Sequence, residues 1–383
     1  MGRLLRRARR GSAFPVIVNA AAAVFFVGVF LIGAGYQLLA IFACLLRKRQ
    51  GPAASGRGPV SILKPVHRAD PALRDAIRSH AVFKGEYELL CGVHDPQDAA
   101  IPLLKELARD FRSLRIVETH TQTANAKVGV LQDLASAARF PILVVNDADI
   151  RVDPNYLDRV TAPLADPKVG LVTCLYRPNG TTVASRFEGL GVSTDFAPSA
   201  LVARLVGVDE FAMGSTLAFR KTDLEKIGGF AALADYLADD YQLGHRIHQL
   251  GLKCVLSDVI VETSLGGGWL DVWQHQVRWA RTIRVSKPGG YVGLPITNAM
   301  LWILILCVLG RFELAAIVLA LRLWMAILAG WFALRSRDVL LFWWLVPARD
   351  LFAFAVWITG LFGNTVIWRG RELRLDGSGR IRK

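Results

Sequence analysis

Hydrophobic positions are unevenly distributed along the 383 residues. No charged side chain occurs between Arg10 and Arg47, and Val16–Leu46 is nearly all apolar. As a helix that run would extend about 46 Å, well beyond the ~30 Å hydrocarbon core of a bilayer. The apolar stretch of a cleaved leader is only ~7–15 residues long. The basic start (Arg3, Arg6, Arg7, Arg9, Arg10) followed by so long a run therefore predicts an uncleaved anchor over residues 1–46. A second apolar region, residues 291–368, predicts two or three further spans. Pro288–Gly310 is charge-free, Leu314–Leu334 is interrupted only by Arg322, and Leu351–Trp368 is a third candidate. The stretch before it contains the helix breaker Pro347. Val339–Val346 is expected to lie along the interface, a depth that suits Trp343 and Trp344. Arg322, Arg349 and Asp350 are costly in lipid and should face protein, water or headgroups. Arg349 and Asp350 read first as an ion pair, and second as contacts to the polar head of a lipid.

Between these regions the pattern changes. A Gly/Pro/Ser/Arg linker, residues 47–59, leads into a stretch of ordinary polarity, residues 60–272. Val60–Leu63, Tyr87–Val93, Arg115–Val117 and Ile142–Val145 are rich in β-branched residues and predict strands. Pro71–His80, Ile101–Phe111 and Lys127–Ala138 carry apolar residues at helical spacing. Asp70-Pro71 reads as a cap followed by proline at the first helical position. Strands alternating with helices predict an α/β domain with a mainly parallel sheet, whose ligands bind outside the carboxyl ends of the strands.

Composition sharpens this picture. Hydrophobic residues make up 53% and charged ones 20%, against about 25% charged in an average soluble domain. A disordered chain is excluded and an ordinary soluble enzyme disfavoured. The 5 cysteines are scattered and form no C-x-x-C pair, which speaks against a disulfide framework or a zinc site. His245 and His248 have no third ligand and read as helix surface. The net charge of +14 sits mainly at the membrane boundaries, where anionic lipid accounts for it better than specific nucleic acid does. No obligate protein partner is evident. Basic residues flank the first apolar run on both sides, so charge alone leaves orientation open.

The candidate chemistry lies at the strand ends. Tyr87–Val93 runs into His94 and Asp95, with Asp98 close by, and Ile142–Val145 ends in Asn146-Asp147-Ala148-Asp149. Two carboxylates so spaced either hold one hard cation, Mg²⁺ or Mn²⁺, with positions left for substrate phosphates, or simply form a turn. Asp239-Asp240 opens a helical stretch; capping accounts for one aspartate and leaves the other for general-base work. Gln276, Arg278 and Trp279, with Arg281 and Arg284, form a basic segment, residues 273–290, expected to be an interfacial helix. For Arg281 or Arg284 the plainer alternative is simple binding to anionic headgroups.

In this order, Asp95, Asp147-Ala148-Asp149, Asp240 and Gln276-Val277-Arg278-Trp279 resemble the D, D, D, (Q/R)-x-x-R-W pattern of inverting, membrane-bound glycosyltransferases with the GT-A fold, with one residue fewer between Gln276 and Arg278 than the pattern has. Within them the chain is most similar to the ceramide glucosyltransferase family, including its bacterial hopanoid-biosynthesis relatives. The similar stretches include Val60–Pro65, Asp147–Val152, Val169–Val172, Gly228–Phe230 and Ala238–Tyr241. The resemblance implies a GT-A domain that transfers a sugar from a UDP-sugar, UDP-glucose first, to a membrane lipid of the ceramide type. It implies that Asp95 contacts uracil or ribose near Lys64, that Lys127 lies near the nucleotide, and that Asp147 and Asp149 hold the divalent cation. Asp240 would be the base, with Gln276, Arg278 and Trp279 bordering acceptor and leaving group. A catalytic domain in the cytoplasm follows from the donor, at the inner membrane in a bacterium. Human-type members have D-S-G where this chain has Asp147-Ala148-Asp149, so Asp147 carries the metal expectation more firmly than Asp149. Competing expectations are transfer of N-acetylglucosamine to a hopanoid and, behind it, a processive polysaccharide synthase, for which about four spans are few.

Overall fold

The computed structural model describes residues 13–47, 58–368 and 370–382. The basic start and most of the linker lie outside them. The first strands fall where the pattern puts them: β1 (Val60–Pro65), β2 (Tyr87–Val93), β3 (Leu114–Glu118) and β4 (Ile142–Val145). β1, β2 and β4 are near-continuous apolar runs, because helices cover both faces of a parallel sheet. β5 (Val169–Gly180), β6 (Leu217–Arg220) and β7 (Lys253–Leu265) complete seven strands in the order β3-β2-β1-β4-β6-β5-β7. Only β6 runs antiparallel to its neighbours. On one face Leu73 and Ile77 of α2 (Leu73–His80), Leu104 and Leu107 of α3 (Ile101–Asp110), and Tyr156 and Val160 of α5 (Tyr156–Thr161) form a fully buried layer. On the other, Val128, Leu131 and Leu134 of α4 (Ala126–Ala137) do the same.

The first of these helices starts later than expected. It begins at Leu73, and Asp70 accepts from the Ala72 amide at 2.7 Å in the preceding turn. Proline at position 71 therefore belongs to that turn and not to the helix.

α6 (Val183–Gly191), a π-helical segment (Val192–Phe196) and α7 (Ala197–Leu205) lie between β5 and β6. α8 (Lys221–Lys226) and α9 (Asp239–Gln249) precede β7, and α10 (Trp269–Ser286) follows it. Among the described residues three helices are long and apolar enough to cross a membrane: Val24–Leu45 within α1 (Ala13–Leu45), Phe312–Ala333 beginning with α13 (Phe312–Ile327), and Arg337–Gly360. The charge-free run is bent by 54° between Pro288–Thr297, which opens with α11 (Pro288–Gly293), and α12 (Ala299–Val308).

The third C-terminal candidate shifts. Arg337–Gly360 combines α14 (Arg337–Phe342), a 3-10 turn and α15 (Val346–Gly360). Pro347 sits in the first turn of α15, where a missing N–H costs nothing, so Val339–Val346 runs on into the same membrane-length helical stretch. Thr365–Trp368, expected in that span, is strand β8. With β9 (Arg371–Leu375) and β10 (Ile381–Arg382) it makes a small antiparallel sheet, so the basic tail is structured. Arg281 and Arg284 donate to the Phe362 and Gly363 carbonyls ahead of β8, at 3.1 and 2.6 Å.

Nor do Arg349 and Asp350 pair. Asp350 takes a bidentate ion pair from Arg322 at 2.8 and 2.6 Å, and Arg322 also donates to the Thr194 carbonyl at 2.8 Å. Helical geometry explains the choice: adjacent residues face apart, so Asp350 meets a neighbouring helix. Removing one partner of a buried pair strands the other charge. Asp350→Ala should lower stability by about 3–5 kcal/mol in denaturation in detergent, and Arg322→Leu combined with Asp350→Leu should restore much of it.

Candidate functional site

The site forms at the carboxyl ends of the strands. Asn146, wholly buried, follows β4 directly and donates through Nδ2 to the Ser215 carbonyl at 2.6 Å and to the Tyr156 hydroxyl at 2.9 Å. That fastens the Asp147–Asp149 loop to Met213–Thr216, the loop entering β6. Lys64 fixes the same loop from below. Its fully buried Nζ donates to the Asp147 and Ile150 carbonyls at 2.8 and 3.2 Å, and burial pushes its pKa down to about 8. In this structure Lys64 therefore shapes the aspartate loop from beneath.

Asn125 caps α4, accepting from the Lys127 amide at 3.1 Å and donating to the Tyr236 carbonyl at 2.8 Å. The cap thus sets the first turn of α4 against the segment ahead of α9. Lys127 Nζ then lies 2.9 Å from Asp147 Oδ1 and 3.2 Å from Asp239 Oδ2. Burial opposes its charge, but Asp147, Asp239 and Asp240 outweigh it and hold the ammonium above the usual lysine range. Neither aspartate of the pair at the start of α9 caps the helix through its side chain; the N-cap is Ala238. Asp239 is an ion-pair partner, and Asp240 accepts from the Gly214 amide at 2.8 Å and the Tyr241 amide at 2.7 Å. Burial, then the charge of Asp239, raise the Asp240 carboxyl to about 6 against the pull of Lys127.

Gly214 is the hub of this cluster. A Cβ placed there would lie 3.2 Å from Asp147 Oδ2, 3.4 Å from Asp240 Oδ2 and 3.4 Å from Lys127 Nζ. The absent side chain lets three charged groups close in on one glycine, whose amide Asp240 takes.

Asp149 accepts from the Thr263 hydroxyl at 2.5 Å and the Ser264 amide at 3.0 Å, both at the end of β7. Burial, then the charge of Asp147, raise its carboxyl. These bonds leave Asp147 Oδ2 and Asp149 Oδ1 uncommitted, two hard oxygens on neighbouring carboxylates. That donor set fits a divalent cation that keeps waters or phosphates as its other ligands. Among the described residues no group of three or more His, Cys, Asp or Glu could hold an ion. His245 and His248 lie instead beside Glu210 and Asp209, at 2.9 and 3.5 Å.

Asp95 stands apart from this cluster, exposed beyond β2, and accepts from the Gln97 amide at 2.8 Å. The buried carboxylate there is Asp98, which takes the Arg68 amide at 2.9 Å and the Ala100 amide at 2.8 Å, joining the loops after β1 and β2.

On α10, Gln276 donates to Glu188 at 2.7 Å and accepts from Arg349 Nη2 at 2.9 Å, while His275 meets the same Glu188 oxygen at 2.6 Å. Arg278 is half-buried on that helix. Trp279 packs on Phe196 with ring centres 6.0 Å apart, and Phe196 on Tyr176 at 5.5 Å. Burial, then Asp240 and Glu188, hold the Tyr176 phenol above its ordinary range. From Tyr176, whose phenol feels the charge of Asp240, the three rings run to a cavity between the catalytic domain and the apolar helices, lined by Trp279, Phe196, Asp195 and Arg349 among others. Gly214 and Glu188 were not picked out from the sequence, and Asn146 and Asn125 stood there only as neighbours of the Asp-x-Asp and of Lys127.

A sheet of this order, with the acidic loop at the end of its central strand and an Arg/Trp helix beside apolar spans, defines a glycosyltransferase of the GT-A fold. The profile of glycosyl transferase family 21 matches residues 25–381, and the chain belongs to that family. It is 24% identical over 345 residues to ceramide glucosyltransferase 1 of Caenorhabditis elegans, covering 84% of this chain and 73% of that protein. Over 216 residues it is 24% identical to a β-monoglucosyldiacylglycerol synthase of Trichormus variabilis, covering 54% of this chain and 43% of that one. Among solved structures, a mannosyltransferase from Pyrobaculum calidifontis in complex with GDP-Man and Mn²⁺ superposes with a TM-score of 0.56 at 19% identity. The match covers 88% of this chain and 98% of that one, a likeness of fold.

Gly214→Ala tests the hub. The methyl must displace Asp147, Asp240 or Lys127 by a few tenths of an ångström, so kcat/KM should fall about 10–100-fold while the thermal unfolding midpoint stays near that of the unaltered protein.

Proposed function

We propose that the protein transfers a sugar from a UDP-sugar, UDP-glucose first, to the hydroxyl of a membrane lipid of the ceramide type, with inversion to a β-glycoside. The observation that carries this reading is the convergence of Asp147, Lys127 and Asp240 on Gly214, with an aromatic path from it to a cavity among apolar helices.

Asp240 takes the proton of the acceptor hydroxyl. The hydroxyl oxygen attacks the anomeric carbon from the face opposite the diphosphate, the bond from that carbon to the phosphate oxygen breaks, and UDP leaves with the electron pair. A divalent cation, Mg²⁺ or Mn²⁺, on Asp147 and Asp149 would neutralise charge on the diphosphate. Arg278 and Lys127 are the protein's own cations for the leaving group. Asp95, exposed beyond β2, is the residue we assign to the nucleoside, and Lys64 acts through the loop it holds. Gln276 and Trp279 border the acceptor side. Because the donor is a cytoplasmic nucleotide sugar, the catalytic domain faces the cytoplasm. A diacylglycerol acceptor is the second reading, supported by the likeness to the glucosyldiacylglycerol synthase.

Turnover by detergent-purified protein tests this, with UDP-glucose or UDP-N-acetylglucosamine offered against ceramide, diacylglycerol and a hopanoid polyol, and products read by mass. A hexosylceramide is the expected product. An N-acetylhexosaminyl hopanoid would move the assignment to that branch, and absence of any lipid product would contradict it.

The pH profile follows from Asp240. A base must be ionised to accept a proton, and this carboxyl is raised to about 6. With decreasing pH the ionised fraction falls below about 6, so kcat/KM should decline there with one ionisation and level off above it. Asp240→Asn should cost at least ~10³-fold in turnover while UDP-sugar binding by calorimetry is retained, in keeping with loss of a positioned base.

A further inference from the structure

The Arg322–Asp350 pair leaves Arg349, its neighbour in sequence, without a carboxylate. Its side chain is 4% exposed, yet Nε and Nη1 have no hydrogen-bond partner, and Nη2 is held by Gln276. A buried guanidinium with unmet donors is expensive, and the fold makes room for it. A Cβ on Gly191 would lie 2.2 Å from Nε and 2.3 Å from Nη2, so the guanidinium occupies the place a side chain would take. Phe187 and Phe352 flank it, with ring centres 5.9 and 5.1 Å from Cζ.

Arg349 lines the cavity of about 290 Å³ into which the Tyr176–Phe196–Trp279 path leads. Its walls come from α1, the π-helical segment, α10, the bent pair, α13 and α15, so most of them are apolar and belong to membrane-length helices. Asp195, on the same wall, lies within electrostatic reach of Arg322, Asp350 and Arg349. A volume near 300 Å³ is at the lower end for a ligand site; it suits a polar head with the first carbons of its chains. Arginine has donors and no acceptor, whereas the Asp195 carboxyl, which burial raises, still accepts through its oxygens. The ligand complementary to both offers a carbonyl oxygen and, near it, a hydroxyl or amide N–H.

We propose that this cavity seats the head of the acceptor lipid and that Arg349 donates to its acyl carbonyl oxygen, with Asp195 receiving the hydrogen of an amide or of a second hydroxyl where the lipid has one. This rests on reading the protein as a lipid glycosyltransferase. It makes Arg349 and Asp195 determinants of acceptor choice, selecting acyl lipids, amide or ester, over lipids whose heads carry hydroxyls alone.

The test compares Arg349→Met with the unaltered protein on short-chain ceramide, dioctanoylglycerol and the carbonyl-free dioctylglycerol ether. KM is read for each, or an inhibition constant where no transfer occurs. Loss of a hydrogen bond from a charged donor is expected to raise KM for the acyl acceptor about 10–100-fold. The ether should bind the two proteins alike, and KM for the UDP-sugar should stay within about twofold. Gly191→Ala, which dislodges the same guanidinium, should shift acceptor KM in the same direction. Retained UDP-sugar binding in both variants reports that each is folded. Unchanged acceptor KM, equal losses on ester and ether, or a raised KM for the UDP-sugar would each overturn the proposal. If the unaltered protein glycosylates no lipid at all, it is the underlying functional reading that falls.

Discussion

One buried ammonium holds the candidate site together. Asp147 arrives on the loop after β4, while Asp239 and Asp240 arrive on the first turn of α9. Like charges brought close in a partly dry site disfavour ionisation of each other, and the loop and helix would be driven apart. Lys127 lies between them, delivered by the start of α4 and registered by the Asn125 cap against the chain entering α9. Everything else at the site is arranged around that contact. Asn146 and Lys64 fix the loop, and Gly214 lets both carboxylates share one backbone surface.

A second polar contact joins this centre to the apolar helices. Arg322 binds Asp350 on a neighbouring helix and also the Thr194 carbonyl in the π-helical segment of the catalytic domain. Two apolar helices and the catalytic domain therefore meet at one cation. The same arrangement leaves Arg349 to Gln276, and through it to Glu188 on α6, which His275 also meets. The helix that carries Gln276, Arg278 and Trp279 thus touches both the Phe196–Tyr176 ring pair and the charges among the apolar helices.

Much of this could be read from the chain. Strands buried on both faces leave unbroken apolar runs, so β1, β2 and β4 and the acids at their ends stood out, as did apolar runs of membrane length. Long-range pairing could not be read. Nothing local to Arg322 reveals that its partner is Asp350, or that Arg349 is passed over. Pro347 looked like a helix breaker because its place in the first turn of α15 depends on where the preceding 3-10 turn ends. The fate of the C-terminal residues depends on Arg281 and Arg284 gripping the chain before β8, contacts that span some eighty positions. Lys127 was found by likeness, but its place between Asp147 and Asp239 is a product of folding.

The central claim is a single displacement promoted by one base, Asp240. The anomeric configuration of the lipid product, read from the proton–proton coupling of the transferred sugar by nuclear magnetic resonance, tests it most directly. From an α-linked UDP-sugar the account predicts the β-glycoside alone, with the large diaxial coupling of a gluco-configured sugar. An α-glycoside would mean net retention, and would contradict both the single displacement and the role assigned to Asp240.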